Sequence, residues 1–212
     1  MAFNTIDLNN GFESIAVEGF KFKKEVMGYS WERENSDKMD RIVIGYGGYS
    51  DSFKIYTPIV GIFFKKVEEV LKPAYELSKV KGLYNHTTIH KSLINIEGID
   101  YKIFDNEINS NKMFERVATE IEKLILKGAL PFFEKYQSLK AVFEETEKMD
   151  IEKMSNFIGQ PLPFRRMIIK KLCNDPSYEN YYKLILDFYK AEGAENEVKL
   201  TEHLYNLLQD KL

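Results

Sequence analysis

The spacing of apolar residues changes near residue 109, and this change constrains the fold more than any other feature of the chain. Before it, apolar and polar residues tend to alternate and glycines separate the segments; after it, apolar residues recur every three or four positions. Alternation is typical of half-buried β-strands, and a spacing of three to four is typical of amphipathic helices. The sequence therefore predicts an α+β protein with a mostly antiparallel N-terminal sheet and an all-helical C-terminal half.

Three extended segments in the first half predict a β-meander. Residues 27–34 alternate between an aromatic and a polar face, a turn-forming cluster follows, and residues 39–46 alternate again. The third segment, 53–64, contains Pro58, which indicates an edge position or a bulge. We also predict another strand over 99–104.

One or two helices are expected to accompany the sheet. Residues 8–18 predict a short helix, and residues 65–80 predict a longer one that Pro73 should kink or divide. The helical half should begin at a cap formed by Asn109 or Ser110, and its first helix should stop near residues 127–128. We predict a sheet-rich portion over 1–108 and a helical portion over 109–212, packed together as one compact unit.

The charge balance argues against a nucleic-acid-binding protein. The 212 residues carry a formal net charge of −3, with 14 Lys and Arg against 16 Asp and Glu in residues 1–108, and 16 against 17 in the rest. Neither half is a basic module.

The sequence also predicts where the protein is found. There is one cysteine, no signal-peptide pattern and no apolar run near the ~20 residues needed to span a bilayer, so we expect a cytoplasmic protein with no membrane partner. Of the 30 basic residues 25 are Lys, a bias associated with AT-rich bacterial genomes.

Trp31, Arg33 and Arg41 form the first candidate binding site. If the strands that carry them pair around the 35–38 turn, Arg33 lies near the region of Arg41, and two arginines beside a tryptophan could grip a carboxylate or a phosphate. The alternative is that Trp31 belongs to the core and each arginine pairs with a neighbouring acid on the surface.

The glycine-rich segment 45–52 is the second candidate. Glycines with serine can cradle phosphate, but a phosphate loop needs a following helix and a lysine at its start, and here an extended segment follows. The segment therefore predicts a hairpin turn between two strands. Tyr46 and Tyr49 would then be available for contact with another protein.

His86 and His90 are the third candidate, because residues four apart share a face of a helix or a strand. A metal site needs a further ligand, and none is recognisable, so two surface histidines are the simpler interpretation. We identify no catalytic constellation and no cofactor motif in the sequence.

The remaining polar and aromatic clusters have ordinary structural interpretations. The acidic clusters at Glu68 and Glu69 and at 144–147 lie among lysines, which predicts solvated helix faces. Cys173 is expected to be a buried small apolar residue. The tyrosine stripe at 178, 182 and 189 is expected to pack within the protein, although as an exposed face it would be a binding surface.

The first half resembles small α+β domains of bacteria in two respects. One is the segment 19–24, and the other is the order of an aromatic residue and then an arginine in the strand with Trp31 and Arg33. Some of those domains are immunity partners of toxins. The resemblance carries no specific motif, so no functional residue is transferred. We favour a non-enzymatic protein-binding module of an immunity or regulatory type, and the alternative is a small-ligand binder or an enzyme with its site between the sheet and the helices.

Overall fold

The computed structural model describes residues 3–49, 51–80 and 87–210 of the chain. The strands are β1 (Lys21–Glu25), β2 (Gly28–Glu34), β3 (Lys38–Tyr49), β4 (Ser52–Ile55), β5 (Ile59–Phe64) and β6 (Ile89–Ser92). The helices are α1 (Thr5–Ser14), α2 (Lys65–Ser78), α3 (Asn111–Leu124), α4 (Leu130–Lys135), α5 (Leu139–Thr146), α6 (Ile151–Ser155), α7 (Leu162–Leu172), α8 (Tyr178–Ala191) and α9 (Glu195–Asp210). The predicted fold class is confirmed: an N-terminal antiparallel sheet precedes an all-helical half.

The sheet has the strand order β1-β2-β3-β5-β6, and β4 pairs with β3 beside this path. The predicted meander of segments 27–34, 39–46 and 53–64 corresponds to β2, β3 and the pair β4 and β5. Strand β1, which the sequence pattern does not predict, pairs with β2, with Phe22 opposite Trp31 and Trp31 opposite Ile42. Tyr29, Trp31, Ile42 and Ile44 are buried, because alternation places all of them on the face that packs against the core. The aromatic face of the predicted strand is therefore the core face of the sheet.

The third predicted segment is two strands instead of one. Pro58 lies between β4 and β5, and its lack of an N–H group agrees with the break. Strands β3 and β4 form a tight hairpin with Tyr49 opposite Ser52. Gly48 has a φ of +140°, and a Cβ there would lie 2.2 Å from the carbonyl oxygen of Ser52, so only glycine fits. The glycine-rich segment is thus a hairpin, as predicted.

Two local predictions are wrong, and a third is wrong in one of its two alternatives. Residues 99–104 do not form a strand, because Tyr101–Asp105 is a 3₁₀ turn whose Tyr101 hydroxyl donates to the Leu93 carbonyl. The helix does not stop at 127–128; a π-helical turn, Ile125–Ala129, joins α3 to α4. Pro73 does not divide α2, which is one helix over its whole range, and a kink at Pro73 stays a prediction. Six residues are too few to separate a strand from a turn by periodicity, and a wide π turn absorbs Gly128 without ending the helix.

The chain divides into two compact units, and each is built from two separate segments. Unit 1 contains Met1–Ile62 and Lys91–Lys135, and unit 2 contains Phe63–His90 and Tyr136–Leu212. These units follow contacts in space, so their limits differ from the 1–108 and 109–212 portions that the sequence pattern defines. No helix within the described ranges is long and apolar enough to cross a membrane.

Aromatic residues dominate the core of unit 1. The ring of Phe12 in α1 stacks on Tyr29 with 4.2 Å between centroids, and it meets Phe114 of α3 edge-on at 5.1 Å. The Trp31 indole N–H donates to the carbonyl oxygen of Ile15 just after α1, at 2.9 Å. These contacts fix α1 against both the sheet and α3.

Unit 2 is a helical assembly in which the predicted tyrosine stripe of α8 packs internally. Tyr182 stacks on Tyr205 of α9 with 3.9 Å between centroids, and Tyr189 stacks on Phe164 of α7 at 5.7 Å. Tyr178 is buried. The internal-packing interpretation of this stripe is therefore confirmed.

Candidate functional site

The structure places Arg33 and Arg41 on opposite faces of the sheet. Arg33 is in register with Asp40, and Glu32 is in register with Arg41. Cross-strand partners share a face and consecutive residues alternate, so the two guanidinium groups point away from each other. The sequence-predicted pair of arginines therefore does not converge on one ligand.

Each of these arginines is already bound to a carboxylate. The Arg33 Nη2 lies 2.8 Å from Asp40 Oδ2, and its guanidinium lies 4.6 Å from the centre of the Phe20 ring. The Arg41 Nη2 lies 2.6 Å from Glu25 Oε1. Trp31 is buried in the core, and the acid that binds Arg33, Asp40, is buried as well.

The other candidate residues of the first half are Tyr46, Tyr49, His86 and His90. Tyr46 is half-buried and stacks on Tyr29 with 5.4 Å between centroids, so much of its ring is already covered. His86 and the side chain of Tyr49 lie outside the described residues. A paired role for His86 and His90 stays a prediction.

His90 lies beside a buried ion pair in unit 2. Arg165 of α7 donates from Nε and Nη2 to the two oxygens of Glu68 in α2, both at 2.7 Å, and neither side chain is measurably solvated. The Thr88 hydroxyl donates to Glu68 Oε1 at 2.8 Å and accepts from the Phe64 N–H. The prediction that Glu68 lies on a solvated face is wrong, because a bidentate arginine 97 residues away in sequence neutralises it.

The environment of His90 disfavours its charged form. Burial lowers the pKa of the imidazole, and the neighbouring Arg165 guanidinium lowers it further. The Nδ1 atom is buried and has no hydrogen-bond partner among the described residues. His90 is therefore a neutral, partly buried residue at neutral pH.

A second charged cluster in unit 2 has a structural role as well. The buried Lys170 Nζ lies 2.6 Å from Asp175 Oδ2 and 2.9 Å from Glu147 Oε1. Burial alone would raise the pKa of Asp175, but hydrogen bonds from Lys170 and Ser177 outweigh it and the pKa is lowered. Both ion pairs join segments of unit 2, so Lys170 serves the packing of this unit.

A groove of about 570 Å³ between α1 and α3 has a different character. We call it the α1–α3 groove, and it lies within unit 1. The residues that line it are Asp7, Asn10, Gly11 and Ser14 of α1 with Asn111, Phe114, Glu115, Ala118, Thr119 and Glu122 of α3. Small and polar side chains form most of its surface, and most of the polar ones are exposed.

Gly11 allows the two helices of the groove to pack closely. A Cβ at this position would lie 2.4 Å from Cε1 of the Phe114 ring, closer than any real contact. Glycine inside a helix costs about 1 kcal/mol relative to alanine, so its presence in α1 fits a packing requirement. The floor of the groove is consequently backbone and aromatic ring.

The α1–α3 groove is negatively charged. Its lining contains three carboxylates, those of Asp7, Glu115 and Glu122, and no lysine or arginine. One oxygen of Asp7 accepts from the Asn4 N–H in the helix cap at 3.0 Å. Across the part of the chain that the structure describes, neither Glu115 nor Glu122 has an ion-pair partner.

The charges of α3 are separated between its two sides. Lys112 and Arg116 line a smaller cavity of about 340 Å³ and are absent from the groove. Glu120, on the same helix, is bound by Lys123 at 2.6 Å, and this hydrogen bond lowers the pKa of its carboxyl group. Glu115 and Glu122 thus differ from the paired acids around them, because they face the groove without a cation.

The groove offers charge and shape but no catalytic group. Its side chains include no pair of a nucleophile and a base, and residues 3–49, 51–80 and 87–210 contain no cluster of three metal-ligating side chains. Comparison with family models, with curated proteins and with solved structures gives no match.

The α1–α3 groove is not predicted by the sequence pattern. A signal was present in α3, where Glu115 and Glu122 are seven residues apart and hence on one helix face. Nothing in the sequence places α1 opposite that face.

Cys173, which is expected to be buried, is half-buried at the end of α7. Burial raises the pKa of its thiol, which makes it a poor nucleophile.

Proposed function

We propose that this chain is a protein-binding module that docks a cationic segment of another protein in the α1–α3 groove. The observation that supports the proposal is the lining itself, with three carboxylates and no lysine or arginine. A negatively charged concave surface is complementary to lysine and arginine side chains of a partner. A protein segment fits better than a small ligand, because the groove is open and its polar atoms are spread along two helices.

The electrostatic contribution would act mainly on the rate of association and on selectivity. An exposed ion pair contributes about 0.2–1 kcal/mol, so two or three pairs alone give weak binding. Contacts with the groove floor, made by Gly11, Phe114 and Ala118, must supply the remainder. We therefore expect the affinity to fall as salt is added, because screening weakens the exposed charges.

The geometry also supports a binding module over the enzyme alternative. The two arginines that the sequence offers as ligand-binding groups do not converge. Arg33 and Arg41 point to opposite faces of the sheet, and each binds a carboxylate. An immunity or regulatory role is the specific form that we propose. A partner that itself binds nucleic acid carries the cationic surface that the groove would accept.

The experiment compares two double variants of equal charge. Glu115→Lys with Glu122→Lys reverses both groove acids, and Asp187→Lys with Glu192→Lys reverses two exposed acids of unit 2. Each substitution changes the charge by +2, so both variants have a formal net charge of +1 instead of −3. Tagged proteins are used to capture partners from native lysate, and the captured protein is purified and its binding measured by calorimetry.

We expect a stoichiometric protein partner that binds the wild type and the unit 2 variant, and whose affinity for the groove variant falls at least tenfold. Equal binding by the two variants would place the interface elsewhere and refute docking in the groove. A partner that is toxic when produced without this protein would support the immunity form.

A further inference from the structure

We infer that the segment that occupies the α1–α3 groove is an α-helix with two lysine or arginine side chains seven residues apart. This inference rests on the proposed function and specifies its partner. It derives from the spacing of the groove carboxylates, from the small residues of the floor, and from the separation of charge on α3. Each of these observations concerns described residues of unit 1.

The two free carboxylates of α3 define a distance. Glu115 and Glu122 are seven residues apart in a continuous α-helix, and the rise of 1.5 Å per residue places their Cα atoms about 10.5 Å apart along the axis. Seven residues are close to two full turns, so both side chains leave α3 on the same side. A helical partner with cations seven residues apart repeats the same distance and direction.

An extended partner does not match this spacing. In a β-strand the side chains of one face recur every second residue, at multiples of about 6.7 Å. Cations on one face of a strand would therefore be about 6.7 Å or about 13.4 Å apart, and neither value equals the separation of Glu115 and Glu122. A strand with cations three residues apart has the right length but points them to opposite faces.

The floor of the groove is suited to the approach of a helix. Packed helices have axes 8–10 Å apart, and the lower value requires small residues at the contact. Ala118 on α3 supplies one such position in the lining, and Gly11 on α1 presents only backbone beside the Phe114 ring. Asp7 adds a third carboxylate from the α1 wall. The occupant would thus lie along two helices and complete a three-helix contact.

Charge separation on α3 restricts how the partner can bind. Lys112 and Arg116 line the neighbouring cavity together with one acid, Glu107, so a cationic helix displaced toward that side would meet two like charges. In the groove, the same helix meets three carboxylates and no lysine or arginine. The charge distribution therefore favours binding of the cationic helix in the α1–α3 groove over binding in the neighbouring cavity.

The test uses three synthetic peptides of equal length and charge. The first is an alanine-rich helix with two lysines seven residues apart; the second has them five residues apart, about 140° around the helix. The third is kept extended by N-methylation of alternate backbone amides. Circular dichroism verifies each conformation, and binding to the full chain is followed by NMR amide shifts up to millimolar peptide.

We expect the seven-residue spacing to bind about three- to tenfold more tightly than either other peptide, with shifts in α1 and α3. Glu115→Gln with Glu122→Gln should abolish this preference, whereas Asp187→Asn with Glu192→Asn should keep it. Equal affinity of the three peptides, or no shift in α1 and α3 at millimolar peptide, would overturn the inference.

The two proposals can fail separately. If a captured partner depends on Glu115 and Glu122 but the peptides show no preference for helical spacing, the helix inference is wrong and the docking proposal stands. If neither the partner nor the peptides depend on these two residues, both proposals are wrong.

Discussion

Glu68 in unit 2 and the glutamates of the α1–α3 groove in unit 1 are the same residue type in opposite circumstances. Glu68 is buried, and Arg165 and Thr88 saturate its oxygens with hydrogen bonds. Glu115 and Glu122 are exposed on α3 and have no ion-pair partner among the described residues. The first carboxylate is committed to the fold, and the other two remain available to a partner.

This difference separates two uses of charge that composition alone cannot distinguish. A buried ion pair is costly to break, because removal of one member leaves an uncompensated charge in a medium of low polarity. An exposed unpaired acid contributes almost nothing to folding, because water solvates it in both states. Substitutions at the two places should therefore affect different measurements.

The largest effect is expected from Arg165→Met. It leaves Glu68 buried without its main partner and should lower the free energy of unfolding by about 3–5 kcal/mol, measured by urea denaturation. The double variant with Glu68→Leu removes both charges and should be more stable than Arg165→Met alone. A loss below about 1 kcal/mol in the single variant would show that the pair does not hold unit 2 together.

A smaller loss is expected from Lys170→Met. Lys170 binds Asp175 and Glu147, but Glu147 is exposed and Asp175 keeps its hydrogen bonds from Ser177. We expect the free energy of unfolding to fall by about 1.5–3 kcal/mol, typical of a hydrogen bond to a charged group. Lys153→Met, which removes an exposed ion pair with Asp150, is the control and should change little.

The stability of unit 2 should depend on the titration of His90. Its pKa is lowered in the folded state, so between that pKa and the unfolded value near 6.5 the unfolded chain binds more protons. Stability is therefore complete above pH 6.5 and is lost as the pH falls below it. The slope should stay well under the limit of about 1.4 kcal/mol per pH unit, because solvent partly screens the ring.

The measurement is the free energy of unfolding at pH 7.5, 6.5 and 5.5 for the wild type and for His90→Gln. The variant should lose less stability over this range, since the other titrating groups are the same in both proteins. An identical pH dependence would show that His90 is not responsible.

The smallest effect on stability is expected from Glu115→Gln with Glu122→Gln. Both side chains are exposed and unpaired, so the free energy of unfolding should stay within about 0.5 kcal/mol of the wild type. The same variant should nevertheless weaken partner binding and reduce its salt dependence. A substantial loss of stability would mean that these acids serve the fold, as Glu68 does.

The sequence pattern predicts the pairing of β2 with β3 well, because Tyr29, Trp31, Ile42 and Ile44 alternate along their strands and all lie on the core face. Ser110 was one of two predicted caps, and its hydroxyl accepts from the Met113 N–H. These features depend on neighbours in sequence, where periodicity and capping rules apply directly.

What the sequence could not predict depends on contacts between distant segments. In the sequence Glu68 has lysine neighbours, which is typical of a solvated residue. It is buried in the fold because Arg165, 97 positions later, binds its carboxylate. The α1–α3 groove likewise requires Gly11 to meet Phe114, about a hundred positions away in the chain. Local patterns identify the acids of α3 but not the wall opposite them.

The division of each unit into two chain segments has a consequence for synthesis. All residues of unit 1 have been made once the ribosome passes Lys135, but the segment Phe63–His90 must wait for Tyr136–Leu212. At 5–20 residues per second, Glu68 is made about 5–20 s before Arg165. During that interval its carboxylate lacks the Arg165 guanidinium that binds it in the fold, so the nascent α2 cannot reach its final environment until α7 follows.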